Sequence, residues 1–202
     1  MAFEQYIKGK KAVVFGLDNV LYPEKDYLLQ VYYLFAEFIS YTEQMDAKKI
    51  LAFMTEEYTA YGEVNIFNKT AEKFNIPLKY SSNFILLHQT ARLPLKLLLY
   101  QQLLSFLQEL VLERVNIFLL VDGKPEMQIN KIKQLEWHGL EQYLKVYFSE
   151  EFENKPSTKS LEFIINQHQL KKEEILIVGF KKEEEQFAAL ANVDFLSIAN
   201  LL

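Results

Sequence analysis

Short apolar runs alternating with longer helical stretches constrain this 202-residue chain more than any other feature. Ala12–Phe15 reads as a buried strand, Asn116–Val121 as a second, Lys145–Phe148 as a weaker third and Ile175–Val178 as a strong fourth; Phe195–Ile198 is a short fifth candidate. Between them, Glu126–Trp137, Thr158–His168 and Glu183–Ala191 carry apolar residues at helical spacing. Pro125 suits the first turn of one helix, and Ser157 or Thr158 the cap of the next. Such alternation predicts an α/β fold, a parallel sheet with helices on both faces.

The stretch from about Pro23 to Pro94 breaks this rhythm and reads as wholly helical. Tyr27, Val31, Leu34, Phe35 and Phe38 mark one apolar face, and Ile50, Phe53, Met54 and Tyr58 another. Ile66, Phe67, Ala71 and Phe74 predict a third helix stopped near Pro77, and 84–88 a short fourth. The expected organisation is a discontinuous core, 1–22 with 96–202, and a helical insert over 23–95. Leu97 to Leu112 returns the chain to the core as a helix. The aromatic pairs Tyr32-Tyr33 and Tyr58 with Tyr61 invite a base-stacking reading, but their spacing fits helix–helix packing better.

Composition narrows the function classes. Net charge is −5, and the lysines are scattered mostly beside glutamates, so no basic stripe for nucleic acid is present. Arginine occurs only at Arg92 and Arg114, which leaves few candidates for a bidentate phosphate clamp. The absence of cysteine excludes disulfides, thiolate catalysis and Cys-ligated metals. His88, His138 and His168 have no metal-ligand spacing and read as structural. No signal-peptide pattern and no run of ~20 apolar residues is found, so the expected location is the cytoplasm, without membrane contact.

In an open α/β sheet, chemistry gathers beyond the carboxyl ends of the strands. Gly16, Asp18 and Asn19 follow the first strand; Val121 ends the second, with Asp122 and Gly123 behind it. Asn154-Lys155-Pro156 follow the third, and Gly179, Phe180 and the run Glu183-Glu184-Glu185 the fourth. Taken singly these are bland: Asp18 is a loop cap, Lys155 a solvated lysine, Asp122-Gly123 a turn, and the glutamates an acidic first helical turn.

Taken together, their order and spacing resemble the four motifs of the haloacid dehalogenase-like (HAD) hydrolases, over roughly 11–22 and 96–198. The resemblance implies a Rossmann-like core, with the insert in the place of that family's helical cap. It also implies roles. Asp18 stands at the acid/base position, Lys155 at the lysine that balances nucleophile and phosphate charge, and Gly123 and Gly179 at family glycines. Asn19, Val121, Asp122 and Phe180 complete the expected binding surface.

Three positions depart from the family pattern. Gly16 stands where the family has its nucleophilic aspartate, Val121 where a hydroxyl binds phosphate, and Phe180 where an aspartate binds Mg²⁺. Glu185 falls at the place of a second acidic residue. Losing two carboxylates removes two oxygens from an ion that needs a near-octahedral shell, and losing a nucleophile alone costs several powers of ten. The expectation is a HAD-like protein inactive as a phosphatase, without a cofactor, that binds a small anionic ligand or a protein partner. Two alternatives stay open. One is an active phosphoester hydrolase in which Asp18 serves as general base for direct water attack, with Mg²⁺ and Glu183, Glu184 or Glu185 as a ligand. The other is an interaction protein with a relic site.

Overall fold

The computed structural model describes residues 3–153 and 157–202. Its central element, β1 (Ala12–Phe15), is buried at every residue. β2 (Asn116–Val121) and β4 (Ile175–Gly179) flank it in parallel, with Val13 opposite Ile117 on one side and Leu176 on the other. β3 (Leu144–Phe148) pairs with β2, and β5 (Asp194–Ser197) with β4, giving the order β3-β2-β1-β4-β5, all parallel. The apolar runs in β1, β2 and β4 follow from this placement, because strands covered on both faces have no side to turn to water.

The α-helices among the described residues are α1 (Glu4–Ile7), α2 (Glu24–Glu43), α3 (Ala47–Tyr61), α4 (Ile66–Phe74), α5 (Ser81–Thr90), α6 (Gln101–Leu112), α7 (Pro125–Gln134), α8 (Lys159–His168) and α9 (Lys182–Ala191). Leu161 and Ile164 of α8 and Phe187, Ala188 and Ala191 of α9 bury one face of the sheet, against Val14, Phe118, Leu120 and Ile177. Leu103, Phe106, Leu107 and Leu110 of α6 are buried at helical spacing, and Phe106 meets Phe15 edge-on, ring centroids 5.9 Å apart. Burying each such side chain contributes roughly 1.5–3 kcal/mol before ordering costs.

The chain divides into two units. The α/β unit comprises 1–24, 98–128 and 135–202; the helical unit comprises 25–97 and 129–134. The second part of the helical unit was not expected from the sequence. It belongs there because Asn130 and Gln134 both donate to the Ala91 carbonyl, and Gln134 Oε1 accepts from Leu93 N. Predicted helix 126–137 therefore ends early, at Gln134.

The interior of the helical unit is aromatic. Phe35 lies 5.0 Å from Phe84 and 5.8 Å from Phe67 between centroids, and Tyr32 stacks on Phe84 at 6.1 Å. Tyr32 and Phe35 are fully buried, as helix packing requires, whereas Tyr33 and Tyr61 are exposed. Asp46 caps α3 by accepting from Lys48 N and Lys49 N at 2.9 and 3.2 Å. Among the described residues, no helix is long and apolar enough to cross a membrane.

Candidate functional site

Along the sheet, the chain runs outward from β1 to β2 and β3, then returns to the other side for β4 and β5. The order reverses between β1 and β4, and in doubly wound sheets that crevice is the binding position. A cavity of about 250 Å³ opens there, and every described residue lining it belongs to the α/β unit.

Five of the expected residues line it: Gly16, Asp18, Val121, Asp122 and Gly123. Asp18 is locked in place. Its Oδ1 accepts from Tyr22 Oη at 2.6 Å and its Oδ2 from Gln128 Nε2 at 3.1 Å. The turn that permits this is sharp, with Asn19 in the left-handed region at φ 59°, which asparagine tolerates better than most residues. Asp122 Oδ1 lies 2.6 Å from Ser149 Oγ, which fixes the loop after β2.

Asn19, Gly179 and Phe180 do not line the cavity. Asn19 instead braces the start of α2: its Oδ1 accepts from Glu24 N, and its Nδ2 donates to Glu24 Oε2, both at 3.1 Å. Phe180 is 56% exposed and stays outside the binding surface in which the resemblance places it. Lys155 lies outside the described residues. Glu185 is exposed, and the acidic residue brought to the cavity is Glu184.

The reason is helical phase. α9 begins at Lys182, which puts Glu184 at its third position, where a side chain turns back to the backbone amides at and just before the N-cap. Glu184 Oε2 accepts from Phe180 N at 2.7 Å and Lys181 N at 2.9 Å. One residue further, Glu185 is rotated by about 100° and faces outward.

That fold-back brings the Glu184 carboxylate against two glycines. A Cβ on Gly16 would lie 2.6 Å from Glu184 Oε1, and one on Gly179 would lie 2.8 Å from Oε2. A flexible glutamate tip normally yields to such a contact. Here its other oxygen is held by two backbone amides, so yielding costs part of the helix cap. Gly16 therefore does more than preserve the spacing of a motif: it vacates room that a carboxylate from α9 fills.

Sequence reasoning passed over Glu24, Gln128 and Lys181, which also line the cavity. Gln128 is almost fully buried, and its position one turn into α7 carries no local signal. The family's Mg²⁺ does not fit the side chains present: Gly16 and Phe180 offer no carboxylate oxygens where the family pattern has them. Among the described residues, no three acidic or histidine side chains converge to hold a metal ion.

The model of the haloacid dehalogenase-like hydrolases matches residues 13–198, and the chain belongs to this family. Solved structures agree on the fold. A HAD-superfamily hydrolase of subfamily IA from Geobacter sulfurreducens aligns over 94% of this chain and 87% of its own, with TM-score 0.63 and 16% identity. A Thermotoga maritima protein assigned as a β-phosphoglucomutase aligns over 91% and 82%, with TM-score 0.65 and 16% identity. A hydrolase from Streptococcus pneumoniae aligns over 96% of both chains, with TM-score 0.57 and 14% identity. No curated protein matches the chain at the level of sequence.

Proposed function

We propose that this HAD-like protein does not hydrolyse phosphoesters by the covalent route and uses the cavity at the β1–β4 crevice to bind a small ligand. The carrying observation is the Glu184 carboxylate seated against Gly16, with a would-be Cβ only 2.6 Å from its oxygen. At position 16 the family's nucleophilic carboxylate is missing, and among the described residues no three acidic or histidine side chains converge on a metal position. Asp18, the remaining acid/base residue, already accepts one hydrogen bond on each oxygen, which holds its carboxylate in a fixed orientation. The protein acts in the cytoplasm on this reading, as a binding module or regulator.

A second reading is favoured by one fact: Asp18 lines the cavity. In that reading it takes a proton from water for direct attack on a phosphoester, with no covalent intermediate. One assay separates the two. The full chain, with Mg²⁺ added, is incubated with a panel of phosphoesters, alongside Asp18→Asn. No turnover above background is expected. Mg²⁺-dependent turnover that disappears in Asp18→Asn would establish the second reading and overturn the first.

A further inference from the structure

One titratable ring is packed into the aromatic interior of the helical unit. His88 lies on α5, its ring centroid 4.6 Å from Phe84 on the same helix and 6.3 Å from both Tyr27 and Tyr32 on α2. Its Nε2 is buried and has no hydrogen-bond partner among the described residues. Its backbone is engaged as well, because the His88 carbonyl accepts from Tyr27 Oη. The residue therefore sits where α2 and α5 are joined, and displacing it disturbs their contact.

Among the described residues, the titratable groups that bear on this ring are Tyr27 and Tyr32 of α2 and Lys131, from the part of α7 that belongs to the helical unit. Lys131 is itself buried, with Nζ 5.0 Å from the Tyr27 ring centroid. The tyrosines are neutral in mild acid, so the charge that acts on the ring is the positive one of Lys131. A proton on His88 adds a second buried positive charge near the first, and burial disfavours the charged form of each.

The chain's other two histidines lie in the α/β unit and are placed differently. His138 is exposed. His168 is half-buried, and its Nε2 lies 2.7 Å from Tyr147 Oη, a hydroxyl able to accept from a protonated ring. Units with separate interiors can open one at a time. We propose that His88 is an acid-sensitive switch within the helical unit: its protonation opens the packing of α2 against α5 while the α/β unit stays folded. This is independent of what the cavity at the β1–β4 crevice binds.

The test is amide hydrogen exchange of the full chain, read by mass spectrometry at pH 7 and pH 5, with each rate corrected for the intrinsic rate at that pH. The opened unit takes up the proton near the ordinary pKa of 6.5 and the closed one only near 4, so acid favours opening. The opening equilibrium rises roughly twentyfold between the two conditions. Peptides from α2 and α5 are expected to lose protection by that factor, while peptides from β1, β2 and β4 keep theirs. His88→Phe is expected to abolish the loss. Equal loss in both units, or none in α2 and α5, overturns the inference with the natural chain alone, so the test survives if the variant folds poorly. A loss in α2 and α5 that persists in a folded His88→Phe overturns it as well, since another group would then carry the proton.

Discussion

The two units bury different kinds of interior. In the α/β unit the buried residues between sheet and helices are aliphatic, with a few rings, and the polar groups collect at the strand ends. In the helical unit the interior is built from rings, and polar groups are sealed among them. Tyr27 donates to the His88 carbonyl, the His88 ring stands 4.6 Å from Phe84, and Lys131 Nζ lies 5.0 Å from the Tyr27 ring centroid. The difference teaches where each unit is sensitive. A parallel sheet satisfies its backbone internally and can export its polar chemistry to one edge. A set of packed helices with bulky rings has polar atoms inside and takes its sensitivity to pH and to cavities there.

The strongest way to break this comparison is to remove a ring. Phe35→Ala deletes a fully buried side chain in contact with Phe38, Phe67 and Phe84. It is expected to cost roughly 3–5 kcal/mol, read as a lowered urea midpoint. A loss below about 1 kcal/mol, typical of a surface substitution, would show that the aromatic interior is loosely packed and the contrast is false.

Protonation comes next. Burial, reinforced by the charge of Lys131, pushes the pKa of His88 down to about 4 from 6.5, and its Nε2 is buried without a hydrogen-bond partner among the described residues. The unfolded chain therefore binds the proton first. The stability held by neutral His88 is intact above pH 6.5, falls as pH drops from 6.5 toward 4, and is wholly lost below. The shift corresponds to a loss on the order of 3 kcal/mol. His88→Phe should flatten this part of the profile. Urea midpoints for both proteins between pH 7 and pH 4 give the comparison, and identical slopes would contradict it.

The smallest effect sharpens the picture of the α/β unit. Gly16→Asp pushes a side chain into the Glu184 carboxylate and within 3.0 Å of Val20 Cγ2, at the expense of the α9 cap. A destabilisation of about 1–2 kcal/mol is expected. Because the two side chains compete for one space, Gly16→Asp should cost less in a Glu184→Ala background. Additive costs in a double-mutant cycle would mean that the glycine is not making room for that glutamate.

Much of the α/β unit was legible because its signals are local. Ala12–Phe15 and Asn116–Val121 are strands as read, since unbroken apolar runs of that length bury on both faces. Asp18, Val121, Asp122 and Gly123 reach the cavity because they sit at the carboxyl ends of adjacent strands. Helix ends were read less well. Gln134 closes α7 three residues before the expected end, where its side chain and that of Asn130 turn to Ala91 and Leu93. Gln128 was missed for a related reason: its partners, Asp18 and the Asp122 carbonyl, come from two different strand ends.

The sequence by itself determined the family, the parallel sheet, the helical insert and the absence of a nucleophile at residue 16, because period, strand-end spacing and side-chain chemistry are written in consecutive residues. Tertiary structure alone decided what the glycine is for. Which of three adjacent glutamates faces the cavity depends on where α9 starts, and a shift of one residue turns a side chain by about 100°. With α9 starting at Lys182, Glu184 caps the helix and fills the space beside Gly16 and Gly179. That packing is what brings Glu184, rather than Glu183 or Glu185, to the cavity wall.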